Sequence, residues 1–218
     1  MSLVISLEGI ENCGATTQAE LLRAYYSDKG LKANVVENPG VKTNRSLRSS
    51  LNGKYDKSVF YPELRDTERV DKDYLWEKID LELEVSEEEL FYQLKNADLH
   101  IIDKSYLTML AYDGYGLLRN KNDIAKMKQK INDPAHKIFY LDSDIPSMIY
   151  REVKRSEPQE QIFNPNKNFY NRVIRGYRIE SNDREDVIKI RNSSQKEVHD
   201  DLIRRVGELL EYNPNFYK

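Results

Sequence analysis

Residues 8–18, EGIENCGATTQ, set Gly9 and Gly14 on either side of a short polar turn, with Thr16 just beyond. Backbone amides of such a turn, with the positive end of a following helix, converge on one point and suit an anion. Glycines let the chain close around phosphate groups, and a hydroxyl after them is placed to ligate magnesium. The pattern G-x-x-x-x-G-K-[ST], which these residues otherwise follow, asks for lysine where this chain has Ala15. The candidate phosphate-binding residues are Gly9, Asn12, Cys13, Gly14, Ala15, Thr16 and Thr17. Cys13 is either a thiol made acidic by the start of a helix or a small residue filling a tight turn.

Such a turn works only if a strand delivers it and a helix receives it. The apolar run LVISL (3–7) stops at Glu8, as a buried parallel strand would. TTQAELLRAYYSDKG then repeats apolar residues at helical spacing and ends at Gly30. Further strands are expected at 33–37, 99–103, 137–142 and 186–190. Helical stretches are expected at 86–96, 122–132, 146–155, 167–180 and 195–211. Strand–helix alternation of this kind predicts an α/β fold with a parallel five-stranded sheet and helices on both faces. Ligands of such sheets bind beyond the carboxyl ends of the strands, where these strands turn polar. No repeat, low-complexity tract or linker divides the chain, so residues 1–218 are expected to form a single domain.

The 218 residues carry a net charge of −3, which provides no global field for nucleic acid. No apolar run approaches the length of a membrane span, and no basic, apolar leader opens the chain. Cys13 is the only cysteine, so no internal disulfide forms and a cytoplasmic location is expected. His100, His136 and His199 offer no metal-binding spacing and are read as structural.

The opening stretch ISLEGIENCGATTQAELL resembles the N-terminus of thymidylate kinases, P-loop enzymes that move a phosphoryl group from ATP to dTMP. The resemblance continues in order. VVENPG is similar to the family's second strand and Glu-Pro-Gly turn, with Asn38 before the proline. IIDKSYLTMLAYDG resembles the Asp-Arg-Tyr segment and the Ser-x-x-Ala-Tyr-Gln helix. IFYLDSDIPSMIYREVKR is similar to the strand and helix that lead into the arginine-bearing lid. FYNRVIRGYRIE resembles the helix after the lid, and VIKIRNSSQKEVHDDLIRRVGELL the last strand and helix. The match is weakest over residues 42–95.

The resemblance implies a P-loop NTPase fold with a lid at about 151–168, ATP and Mg2+ as cofactors, a nucleoside monophosphate as acceptor, and a homodimer. It implies that Glu11 holds the acceptor's sugar hydroxyl and that Thr16 and Asp103 work at the metal. Asp103, Lys104, Arg151 and Arg155 then form the catalytic set, the last two from the lid helix with Lys154 between them. Lys104 stands where the family has arginine, keeping the charge but losing the two-point fork. Lys104, Thr108, Tyr112 and Asp113 are the remaining acceptor-side candidates. Thr108 stands for the family's serine and Asp113 for its glutamine.

The family also carries an arginine upstream of the Asp-Arg-Tyr segment that grips the acceptor phosphate. Here that position falls in LELEVSEEE, and no arginine occurs between Arg69 and Arg119. The acidic run reads either as a solvated helix face or as a stretch that opposes phosphate; Arg65, Arg69 or Lys78 are the cations available from another register. Losing one well-placed cation removes on the order of 2.7 to 4 kcal/mol of transition-state stabilisation. Two readings follow. The chain is a divergent nucleoside-monophosphate kinase whose missing charge comes from elsewhere, or a catalytically inactive protein that binds nucleotide or a partner on the same scaffold.

Overall fold

A computed structural model describes residues 2–37, 90–116, 119–155, 167–182, 184–191 and 193–211. Five strands form one parallel sheet: β1 (Leu3–Glu8), β2 (Ala33–Glu37), β3 (Leu99–Asp103), β4 (Lys137–Asp142) and β5 (Val187–Arg191). Their spatial order is β2-β3-β1-β4-β5. All six residues of β1 are buried, as a central strand covered on both faces requires. Its alternating side chains feed two cores. Leu3, Ile5 and Leu7 join the larger one, while Val4 packs with Val36, Ile102, Tyr106 and Met109 on the opposite face.

Among the described residues the helices include α1 (Ala15–Asp28), α2 (Tyr106–Met109), α3 (Lys121–Lys130), α4 (Ile145–Arg155), α5 (Lys167–Ser181) and α6 (Gln195–Glu211). In α1, buried Ala15, Gln18, Ala19, Leu22 and Tyr26 make one stripe facing the sheet. The same stripe reaches α6, where the Tyr26 hydroxyl donates to the Ile203 carbonyl at 2.8 Å. Between α2 and α3 the chain widens into a π-helical stretch, Leu110–Gly116, which the sequence pattern did not announce. There α5 approaches so closely that a Cβ on Gly116 would lie 2.8 Å from the Phe169 ring.

The observed strands match the expected ones to within one residue at each end, β1 running on to Glu8 and β5 starting at Val187. Of the helix expected at 86–96, residues 90–93 are helical and 86–89 lie outside the described residues. The acidic run LELEVSEEE, Arg65, Arg69, Lys78 and the lid beyond residue 155 lie outside them too.

Register decides where the site must be. β1 pairs with β3 from Leu3↔Leu99 to Leu7↔Asp103, so the two strands end together at Glu8 and Asp103, with Asp103 beside Leu7. The connection leaving β1 runs to β2 at one edge, while that leaving β3 crosses to β4 on the other side. A crevice opens where adjacent connections diverge in this way. The seating of α1 controls its floor. Leu22, fully buried at the centre of the α1 stripe, is the side chain on which that seating rests. Leu22→Ala is expected to lower stability by about 2–5 kcal/mol, read as a lower urea midpoint with unchanged slope.

Candidate functional site

The helices begin in contrasting ways. Asn120 caps α3 by accepting from the Asp123 amide at 3.0 Å, and Asp144 caps α4 by accepting from the Ser147 amide at 2.8 Å. Ser194 and Glu197 form a reciprocal capping box on α6. At α2 the Glu8 carboxylate accepts from the amides of Ser105 at 2.6 Å and Thr108 at 3.1 Å. No side chain caps α1, whose N-cap is Gly14 at φ +96, and no acidic residue sits in its first turn. Its N-terminal dipole faces a cradle of about 290 Å³, walled by residues 10–17, Lys104 and Glu152.

The loop is shaped by close approach. A Cβ on Gly9 would lie 2.7 Å from the Cys13 sulfur and 2.9 Å from the Leu141 carbonyl oxygen, so only glycine fits. Asn12 takes a left-handed conformation, φ 57, which asparagine tolerates. Ala15, 2% exposed, gives the cradle wall a methyl group where the pattern asks for an ammonium. Cys13 is buried, and burial pushes its thiol up to about 11, with the Lys104 charge and the Ala15 amide offsetting only part of that. Of the two readings of Cys13, the structure supports the small residue in a tight turn.

Opposite the loop stand Asp103 and Lys104. The Thr16 hydroxyl donates to Asp103 Oδ2 at 2.6 Å, while Oδ1 is buried with no hydrogen-bond partner. One carboxylate oxygen in search of a partner, one hydroxyl beside it and a phosphate-sized space fit Mg2+, which takes few protein oxygens and completes its shell with phosphate and water. Lys104 holds a left-handed conformation, φ 63, and its amide donates to the Leu7 carbonyl at 3.0 Å. Among the described residues it is the one lysine lining the cradle.

Beneath this surface lies a buried network that the sequence reading missed. Besides the α2 amides, the Glu8 carboxylate accepts from the hydroxyls of Ser6 and Thr108. Burial raises its pKa, and those hydrogen bonds oppose the rise. The Tyr177 hydroxyl donates to the Gly9 carbonyl at 2.9 Å, and its oxygen lies 2.7 Å from that of the Thr108 hydroxyl. Thr108 therefore touches Glu8 and Tyr177 and does not line the cradle. Asp113 is buried in the π-helical stretch and does not line it either. Tyr112 does reach the loop, its hydroxyl accepting from the Glu11 amide at 2.9 Å, and the Tyr170 hydroxyl donates to the Glu11 carboxylate.

Helix α4 grips the loop from the other side. Arg151 Nη1 donates to the carbonyls of Asn12 at 3.1 Å and Cys13 at 3.0 Å, and Asn12 Nδ2 donates to Glu152 at 2.7 Å. Arg151, expected to reach phosphates, here holds the loop backbone; the side chain of Arg155 lies outside the described residues. Next to the cradle a second cleft of about 630 Å³ opens between the start of α1, α4 and the turn before α6. Thr17, Tyr150, Arg151, Lys154 and Ser193 line it, and it is large enough for a nucleoside. His136 Nδ1 accepts from the Val4 amide at 3.0 Å. Among the described residues no group of three or more metal-ligating side chains occurs.

Comparison with known proteins agrees with this geometry. The family model described as thymidylate kinase matches residues 7–202. A thymidylate kinase of Wolbachia sp. subsp. Brugia malayi is 27% identical over 94% of this chain and 95% of its own length. One from Fervidobacterium nodosum is 22% identical over 93% and 97%. The crystal structure of thymidylate kinase from Ehrlichia chaffeensis superposes with a TM-score of 0.62 at 21% identity, covering 94% of this chain and 98% of that one.

The placement of Cys13 generates a test. At pH 8 a thiol reagent should label the native protein far more slowly than the urea-unfolded chain. The unfolded thiol ionises from its ordinary value of 9.0, whereas the folded one waits until about 11. Its contribution to stability is therefore intact below pH 9 and falls as pH rises towards 11. Cys13→Ala should make the alkaline fall shallower, measured as the difference between wild-type and variant unfolding midpoints across that range.

Proposed function

The chain belongs to the thymidylate kinase family, and on that premise we propose that it transfers the terminal phosphoryl group of ATP to dTMP or a related deoxynucleoside monophosphate. Its general activity is that of a nucleoside-monophosphate kinase. The observation that carries the proposal is the convergence of three features on one cradle: the α1 start that no side chain caps, the Thr16–Asp103 pair, and Lys104.

In this reading the donor's phosphates lie against the loop amides of residues 11–17, while its nucleoside occupies the cleft beside Tyr150 and Ser193. Phosphoryl transfer asks the protein chiefly for position and charge stabilisation. Mg2+, held by Thr16 and Asp103, would neutralise charge on the donor phosphates. Lys104 faces the transferring group as a point charge, and Glu11, oriented by Tyr170 and Tyr112, takes the acceptor's sugar hydroxyl. Arg151 keeps the loop carbonyls turned towards α4, and Arg155 supplies the lid cation. We read the chain as one domain with a lid at about 151–168, acting in the cytoplasm as a homodimer.

A second reading has a specific observation in its favour. With Ala15 in place of lysine, the charged side chains on the cradle wall among the described residues are Glu11 and Glu152 against Lys104, a balance that suits a weak or non-catalytic nucleotide binder. ADP release from Mg-ATP, measured against a panel of nucleoside monophosphates, separates the two. The kinase reading expects turnover, greatest with a deoxypyrimidine monophosphate. Lys104→Ala should then reduce kcat by roughly 10²–10³-fold, as loss of one pre-placed charge does. Arg155→Ala should abolish turnover in a folded protein, and Ala15→Lys should raise it or tighten ATP binding. Absence of turnover with every monophosphate, alongside measurable ADP binding, would favour the binding-protein reading.

A further inference from the structure

We propose that Tyr150 is the platform on which the nucleotide's base stacks, and that the cleft accepts bases by their ring face without reading their hydrogen-bonding edge. The proposal rests on the cleft being the nucleoside half of the nucleotide site, and deepens that reading by naming what decides base choice. Tyr150 stands on α4 at the wall of the 630 Å³ cleft, 60% exposed. Lys154, one turn further along α4, lines the same cleft and holds its ammonium 4.7 Å from the centroid of the Tyr150 ring. That contact occupies one face of the ring and steadies its direction, while much of the side chain stays open. The cleft and the cradle share Asn12, Cys13, Gly14 and Thr17, so a ligand with its phosphates on the loop can extend to Tyr150.

The other side chains of the cleft explain why the edge goes unread. Most of their donors are already committed to protein partners. The Ser194 hydroxyl donates to the Glu197 carboxylate at 2.9 Å, the Ser193 hydroxyl bonds the same carboxylate, and the Ser147 hydroxyl bonds Asp144. A hydroxyl has one proton to give, and each of these gives it to a carboxylate. Gln18, 3% exposed, is engaged at both ends of its amide. Its Nε2 donates to the Gln195 carbonyl at 2.8 Å, and its Oε1 lies 3.1 Å from His199 Nδ1. Arg151 is turned to the loop carbonyls. Among the described side chains of the cleft Tyr150 is the aromatic one. Stacking on such a ring is tolerant of base identity, because every base has a π-face.

Adenine and guanine separate the two ways of choosing a base. They offer similar ring faces but opposite edges, an amino donor in one where the other has a carbonyl acceptor. A site that reads the edge rejects the wrong partner by orders of magnitude. The experiment is calorimetric titration of the full-length protein, in magnesium, with ADP, GDP, CDP and inorganic pyrophosphate, which has no base. ADP and GDP should bind within about tenfold of each other, and CDP, with the smaller ring, more weakly than either. Tyr150→Ala should weaken ADP and GDP by at least about fivefold each, while pyrophosphate stays within about twofold. Tyr150→Phe keeps the ring and should keep ADP within about twofold of the wild type. A wild type that separates ADP from GDP by more than about tenfold overturns the inference while the phosphate site stands. So does a Tyr150→Ala variant that holds ADP as tightly as the wild type, or one that loses ADP and pyrophosphate alike. Failure of the wild type to bind either ADP or pyrophosphate overturns the nucleotide site and the inference together.

Discussion

The site depends on one buried carboxylate. Glu8 ends the central strand with no exposure to solvent, and taking such a group out of water costs several kcal/mol unless its oxygens are satisfied. They are satisfied by Ser6, Ser105 and Thr108, and two of these belong to the segment that follows β3. Meeting that requirement draws residues 103–108 against the end of β1. Asp103 then faces Thr16, and Lys104 is turned into a left-handed conformation towards the loop. Tyr177 closes the arrangement by joining Thr108 to the Gly9 carbonyl, its ring stacked on Tyr140 at 5.0 Å. The phosphate loop is thus held from below by a network in which every member needs the others.

On that base the chain has redistributed the charges that a phosphate site requires. The loop retains the glycines and the helix start, which act through backbone and do not depend on side chain 15. What changes is the side-chain balance. Arg151 grips loop carbonyls and Glu152 lines the cradle, so α4 contributes one carboxylate to its wall. The coupling has a structural benefit, since α4 and the loop form a rigid pair. In the proposed reading, the burden of neutralising phosphate then falls on Lys104 and on a metal that Asp103 and Thr16 would hold.

Much of the fold was legible in the sequence because parallel strands buried on both faces leave near-continuous apolar runs, as LVISL, LHIID and KIFYLD do. The loop was legible because its chemistry is local: two glycines, a hydroxyl and the following helix lie within one short stretch. The supporting network was not, because Glu8 and Thr108 are 100 residues apart and a single acid after a strand carries no sign of its partners. The π-helical stretch at 110–116 also left no pattern, being set by the close seating of Phe169 and Tyr115 against glycines of the facing elements. The sequence pattern did not single out Glu152, which the packing of α4 on Asn12 places at the cradle.

The central claim is that this loop holds nucleotide phosphates through backbone amides and a metal, without the lysine. A crystal structure of the protein grown with ADP and magnesium tests it most directly. The account predicts the terminal phosphate against the amides of residues 13–17, with the metal between that phosphate, Thr16 and Asp103 Oδ1. Nucleotide bound elsewhere, or a cradle left without phosphate while the direct Thr16–Asp103 hydrogen bond persists, would contradict it.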